Sequence, residues 1–180
     1  MKLHSFRIRT LVLIGVLFLS VAFVYAETAE EYSHRGNTYL KQNNFTQAIS
    51  DYTKAIKINP NLAEAYNNRG NAYLKQNNFT QAISDYIEAI KINPNLADAY
   101  YHRGLAYVNQ NNFTQAISDC TKAIKINPNL AEAYFYRGLV YNTAKEYDNA
   151  WIDVYKAKEL GYTVNPEFLN GLKKASKGYK

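Results

Sequence analysis

The chain repeats itself every 34 residues. Residues 29–62 and 63–96 agree at 28 of 34 positions, the second copy and residues 97–130 agree at 25, and residues 131–164 form a fourth, diverged copy. A period of this length builds a stacked array of small units, each packed only on its neighbours, and it argues against one core assembled from distant segments. The stretch NNFTQAISD recurs unchanged at 43–51, 77–85 and 111–119. Its Asn-Phe-Thr has the form of an N-glycosylation acceptor, so its place in the repeat decides how it is read.

Within the copy AEAYNNRGNAYLKQNNFTQAISDYIEAIKINPNL, Tyr66, Gly70, Tyr73 and Leu74 follow steps of three and four. Phe79, Ala82, Ile83, Tyr86, Ala89 and Ile90 do the same in a second block. Each block predicts an amphipathic helix, and a short polar turn between them makes a helical hairpin. Pro94 stops the second helix, and Lys91 suits its C-terminal end. The second Asn of the turn (Asn44, Asn78, Asn112) precedes the second helix, with Gln47, Gln81 and Gln115 three residues later. That spacing predicts a near capping box, the Asn oxygen taking an early helix N–H and the Gln reaching back. An Asn engaged as a cap is a poor glycan acceptor.

These residues resemble the tetratricopeptide repeat, whose pattern has an aromatic at position 4, Gly at 8, Tyr at 11, Ala at 20, an aromatic at 24, Ala at 27 and Pro at 32. The first copy has Tyr32, Gly36, Tyr39, Ala48, Tyr52, Ala55 and Pro60 at these places, and the second Tyr66, Gly70, Tyr73, Ala82, Tyr86, Ala89 and Pro94. The third keeps Tyr100, Gly104, Tyr107, Ala116, Ala123 and Pro128 but has Cys120 for the second aromatic. The fourth keeps Tyr134, Gly138, Tyr141, Ala150 and Ala157, with Val154 for the aromatic and Tyr162 for the Pro. The resemblance implies an all-α solenoid, a right-handed superhelix of four helical hairpins. Gly36, Gly70, Gly104, Gly138 and Ala48, Ala82, Ala116, Ala150 are then structural, letting two backbones approach. Cys120 reads as a small buried hydrophobe rather than a reactive thiol.

Arg35, Arg69, Arg103 and Arg137 precede the Gly in every copy, and Asp51, Asp85, Asp119 and Asp153 follow them by sixteen residues. This register predicts an ion pair within each hairpin. The alternative is an arginine ladder gripping phosphates or carboxylates.

The two ends differ from the body. MKLHSFRIRT carries three basic residues and no acid, and a 17-residue uncharged run from Thr10 to Ala26 follows. With Val24-Tyr25-Ala26 before Glu27, residues 1–26 read as a secretory signal peptide; the competing reading is an uncleaved membrane anchor. Export to the periplasm or the medium follows, a bacterial envelope being the natural setting. The last eight residues hold four lysines, so the span 27–172 has 14 basic and 15 acidic residues and is near neutral. The pI near 9.2 therefore describes the ends and gives no nucleic-acid surface. With Cys120 the only cysteine, no internal disulfide is available. Gly161 can end a helix, and Asn165-Pro166-Glu167 starts another whose Phe168, Leu169, Leu172 and Ala175 share a side. Residues 165–180 are expected to be a capping helix with a basic tail.

An enzyme lacks its parts here. His34 and His102 lie two repeats apart, there is no Gly-rich phosphate loop, and no His or Cys cluster has metal-ligand spacing, so no catalytic residue, metal or cofactor is assigned. Function is sought where the copies differ. The resemblance implies that the first helices line a concave face through positions 2, 5, 9, 12 and 13. The first copy presents Glu30, Ser33, Asn37, Leu40 and Lys41 there, and the second Glu64, Asn67, Asn71, Leu74 and Lys75. The third presents Asp98, Tyr101, Leu105, Val108 and Asn109, and the fourth Glu132, Phe135, Leu139, Asn142 and Thr143. The groove is expected to be polar at its N-terminal end, apolar at its C-terminal end and acidic along one edge. The alternative is drift at exposed positions after duplication. Some relatives grip a C-terminal carboxylate with Lys and Asn, then Asn, then Lys and Arg. Asn37 and Asn68 match, but Ser33, Asp98 and His102 stand where the cations belong, so no such clamp is expected. The sequence thus points to a non-catalytic scaffold binding a protein or peptide partner of unspecified identity. A structural envelope protein acting by self-association at the membrane is the alternative.

Overall fold

Steps of three and four give each helix one apolar stripe, and the stripes meet in pairs. The computed structural model describes residues 27–177, so residues 1–26, read as the export segment, and the end of the basic tail lie outside the described residues. The described residues form nine helices and no strand: α1 (Ala29–Lys41), α2 (Phe45–Ile58), α3 (Ala63–Lys75), α4 (Phe79–Ile92), α5 (Ala97–Asn109), α6 (Phe113–Ile126), α7 (Ala131–Thr143), α8 (Tyr147–Glu159) and α9 (Pro166–Lys177). α1 packs on α2, α3 on α4, α5 on α6 and α7 on α8, and each second helix packs on the first helix of the next pair. This is the expected all-α solenoid of helical hairpins. Among the described residues no helix is long and apolar enough to cross a membrane.

The core is built mainly of small residues and runs along the stack. Ala48, Tyr52 and Ala55 of α2 meet Ala65 and Ala72 of α3, and Ala82, Tyr86 and Ala89 of α4 meet Ala99 and Ala106 of α5. Alanine keeps neighbouring helix axes close, and the buried tyrosine rings fill the space that remains. In the first two hairpins that ring lies against the glycine of the partner helix: a Cβ on Gly36 would stand 2.7 Å from Cε1 of Tyr52, and one on Gly70 2.7 Å from Cε1 of Tyr86. The smaller Cys120 and Val154 face Gly104 and Gly138, where the nearest approach would be 3.1 Å. Cys120 is fully buried, and burial pushes its thiol up to about 12.

The turn inside each hairpin corrects one expectation. Asn44 and Asn112 do accept from the backbone N–H of Gln47 and Gln115, at 3.4 Å, but Asn78 makes no side-chain cap bond. None of the three second-helix starts shows the reciprocal Gln bond. The reason is local. The first Asn of the turn (Asn43, Asn77, Asn111) takes a left-handed conformation with φ of 58–60°, which Asn tolerates. The next backbone N–H is thereby aimed back at the preceding helix: Asn44, Asn78 and Asn112 donate to the carbonyls of Tyr39, Tyr73 and Tyr107, each at 2.9 Å. No donor is left for the glutamine. A complete capping box does occur at the start of α1, between Thr28 and Glu31.

At the far end α9 begins at Pro166, with Asn165 Oδ1 accepting from the Glu167 N–H at 2.7 Å. Leu172 of α9 is buried with Val154, Ala150 and Val164, which covers the last hairpin.

Candidate functional site

The arginine and aspartate ladders determine which charges are free. Arg35 Nε donates to Asp51 Oδ2 at 2.6 Å and Arg69 Nε to Asp85 Oδ2 at 2.8 Å; the Arg103–Asp119 and Arg137–Asp153 bonds are both 2.7 Å. In every pair Nη2 reaches the other carboxylate oxygen, giving a two-pronged bond. The Arg35 guanidinium holds the Asp51 carboxyl below the usual carboxylate range. Each arginine fork is filled by its own aspartate, so the ion-pair reading holds and the phosphate-gripping ladder is excluded. The remaining prong ties hairpins together: Nη1 of Arg69 and of Arg137 donates to Thr53 and Thr121 Oγ1 of the preceding hairpin, both at 3.0 Å. Before Arg103 the equivalent residue is Ile87, which has no hydroxyl.

The first helices also touch one another, α1 with α3, α3 with α5 and α5 with α7, which sets them on the inner side of the curve. A cavity of about 300 Å³ opens between them. Leu40, Phe45, Leu74 and Leu105 supply its apolar wall, and Tyr101 and Tyr136 its aromatic one. Asn43, Asn71, Lys75 and His102 complete the lining. Four successive hairpins thus contribute to one depression, which none of them could form alone.

The sequence-assigned groove residues do not all arrive there. Leu40, Asn71, Leu74, Lys75, Tyr101 and Leu105 reach the cavity. Glu30, Glu64, Asp98 and Glu132 are exposed in the first turns of α1, α3, α5 and α7, forming an acidic rim, and Lys41 is exposed at the end of α1. Ser33 and Leu139 are half-buried. Asn37 is engaged inside the stack: its Oδ1 accepts from the Tyr52 hydroxyl at 2.6 Å and from Asn68 Nδ2 at 3.0 Å. Asn67 is buried, and its Nδ2 donates to Asn68 Oδ1 at 3.2 Å. The polar end of the groove is therefore largely a hydrogen-bonded seam between hairpins.

Phe135 is taken up by the chain itself. Its ring stacks on Tyr162 at 4.5 Å and meets the edge of Phe168 at 5.5 Å, so position 5 of the last hairpin seats the C-terminal segment. The aromatic run continues inward through Tyr136, 5.4 Å from Phe135, to Tyr101, 5.7 Å further, and His102, 4.7 Å beyond that. His102 lies 6.0 Å from the Tyr86 ring, nearly parallel to it. Its pKa is lowered by burial, which outweighs the opposing influence of Asp98 one turn earlier in α5. His102 and Tyr136 were not among the sequence-assigned groove residues. Both occupy the sixth position of their copies, where His34, Asn68, His102 and Tyr136 also vary, so the variation among copies marked that position too.

Among the described residues no group of three or more His, Cys, Asp or Glu is placed to hold a metal ion. The site offers an apolar depression with aromatic walls and a lysine at its edge, a surface for binding.

Comparison with known proteins agrees with this geometry. A TPR repeat model matches residues 36–77 and 70–111, and two tetratricopeptide repeat models match residues 97–130 and 120–152. No curated protein matches the sequence. Among solved structures, the chain is similar to MamA, at 30% identity over 79% of this chain and 84% of that one, with a TM-score of 0.72. It is also similar to the first TPR of Spaghetti (RPAP3) bound to an HSP90 peptide, SRMEEVD, at 28% identity over 65% of this chain and 93% of that one, with a TM-score of 0.64. The Arabidopsis OM64 TPR domain is similar at 28% identity, over 64% of this chain and 96% of that one, again with a TM-score of 0.64.

Proposed function

Because the chain belongs to the tetratricopeptide repeat family, we propose that it is a non-catalytic scaffold whose concave face takes an extended or helical segment of a partner protein. The observation that carries this reading is the depression to which all four hairpins contribute, walled by Leu74, Leu105, Tyr101 and Tyr136. A segment laid across it would bury apolar side chains and order few protein groups, since the walls are already packed on one another. The similar RPAP3 domain, solved with a bound peptide, supports the same use of the fold. The test is photo-cross-linking in the source cell with a photoreactive amino acid at Tyr136 or, as a control, at Tyr155 on the outside of α8. Protein adducts specific to Tyr136 are expected. Adducts at Tyr155 alone would overturn the groove reading.

The proposal includes delivery outside the cytoplasm by residues 1–26, with mass spectrometry of the purified native chain as its check. A chain starting at Glu27 is expected, and an intact N-terminus would favour an anchored form.

A second reading, assembly of copies through the outer face, is favoured by one feature. Ile152 and Tyr155 are 66% and 60% exposed where the other copies carry Ser50, Ser84 and Ser118 and Thr53, Ile87 and Thr121. Sedimentation of the Ile152→Ser/Tyr155→Thr protein tests it. Self-association that these changes abolish would support assembly, and an unchanged monomer would dismiss it.

A further inference from the structure

We infer that the concave cavity accepts a large apolar side chain of the partner segment with an acidic residue beside it, the carboxylate resting on Lys75. This rests on the groove being the binding face and adds the chemistry of what enters it. Lys75 is the one formally charged residue lining the cavity, and His102, the other ionisable base there, is held neutral by its burial at ordinary pH. The four rim acids do not line it. They sit in the first turns of their helices, whereas Lys75 ends α3. Eleven residues separate Glu64 from Lys75, about 16 Å along a helix axis, so these two charges mark opposite ends of α3, while Asp98 and Glu132 stand nearer the His102 side of the cavity.

Shape and charge then select together. About 300 Å³ enclosed by Leu40, Leu74, Leu105, Tyr101 and Tyr136 admits one bulky side chain. A basic residue beside that anchor would face Lys75, while an acidic one would be attracted to it. Lys75 is exposed, so its contribution is one of selection, while the anchor supplies most of the affinity.

The test uses the full chain and two fluorescein-labelled peptides of about twelve residues. Both have Gly, Ser and Ala around a central Leu-Trp; one continues with Asp-Asp, the other with Lys-Lys. Fluorescence anisotropy should show the acidic probe binding about threefold to tenfold more tightly. Lys75→Glu, an exposed change, should reverse that order. Leu105→Asn, which restores the residue found at this position in the first two copies, should weaken both probes about tenfold. Circular dichroism checks that both variants keep the helical fold.

If both probes bind, Leu105→Asn weakens them and Lys75→Glu leaves their order unchanged, the inference fails while the groove reading stands. No binding by either probe at millimolar concentration also overturns it, and the cross-linking experiment then decides separately whether the groove is used. Loss of self-association in the Leu105→Asn chain would identify a second copy as the occupant. That result overturns the inference.

Discussion

The Tyr52 hydroxyl donates to Asn37 Oδ1 at 2.6 Å across the first hairpin, and Tyr86 repeats the bond to Asn71 at 2.8 Å in the second. In the third and fourth hairpins the tyrosine becomes Cys120 or Val154, and the asparagine becomes Leu105 or Leu139. The two positions change together because a buried hydroxyl and a largely enclosed amide each need the other. Asn71→Leu should therefore destabilise the protein by about 1–3 kcal/mol, through the stranded Tyr86 hydroxyl. Adding Asn at 105 and Tyr at 120 together should cost less than the sum of the two single changes. Urea unfolding of the four proteins in that double-mutant cycle measures the coupling, and strict additivity would show the covariation to be accidental.

The same rings determine which glycines are irreplaceable. Tyr52 is fully buried and hydrogen-bonded, so it cannot withdraw from a Cβ placed 2.7 Å from its ring. Gly36→Ala should cost about 1–3 kcal/mol. At Gly104 the new methyl would meet Cys120 Sγ at 3.1 Å, a tighter fit than usual but with a small neighbour, and alanine favours the helix by about 1 kcal/mol. Gly104→Ala should then stay within about 1 kcal/mol of the parent protein. Thermal unfolding of both variants decides the matter, and equal losses would show that ring contact is not the cause.

Removing Asp119 strands a mostly buried guanidinium, because Arg103 is only 18% exposed and its fork is filled by that carboxylate. Asp119→Ala should cost about 3–5 kcal/mol, and Arg103→Met in the same chain should recover much of it. Ile87→Thr should add up to about 1 kcal/mol by giving Arg103 the hydroxyl that Arg69 and Arg137 already have. Denaturant midpoints read all three, and a neutral Asp119→Ala would mean that the ion pairs are ornamental.

The sequence made the hairpins and the ion pairs legible for one reason: their signals are local and recur in register. An Arg and an Asp sixteen residues apart in every copy leave little freedom of interpretation. Asn37 is ambiguous in the sequence, because its partner Tyr52 lies on the facing helix and a groove position explains the same residue equally well. Phe135 depends on Tyr162 and Phe168, residues at and beyond the end of the periodic region, where no repeat predicts a contact. The Gln of the turn completes a capping box only where the N-cap backbone N–H is free, and in these turns that N–H is bonded to the preceding helix. Leu40, Asn71, Leu74, Lys75, Tyr101 and Leu105 reach the cavity as groove positions, whereas His102 and Tyr136 enter through the sixth position, whose variation among copies is equally visible.

His102 gives the protein a pH dependence of definite sign. Burial lowers its pKa in the folded chain, and Lys75 acts in the same direction, while the nearby Asp98 and Glu132 oppose it. The unfolded chain takes up the proton near the ordinary histidine value of about 6.5, before the folded one does. Below that pH the unfolded state binds more protons, so stability falls as pH drops; above it the contribution is fully present. Urea midpoints measured from pH 8 to about 5.5 should decline on the acid side for the parent protein. His102→Asn, which installs the residue that Asn68 provides in the second copy, should flatten that decline, and the same change at exposed His34 serves as the control. Parallel profiles for the parent and the His102→Asn protein would show that the imidazole takes its proton in the folded state as readily as in the unfolded one. The cavity wall at His102 would then be wet and charged, and Lys75 would lose its standing as the only charge a ligand meets there.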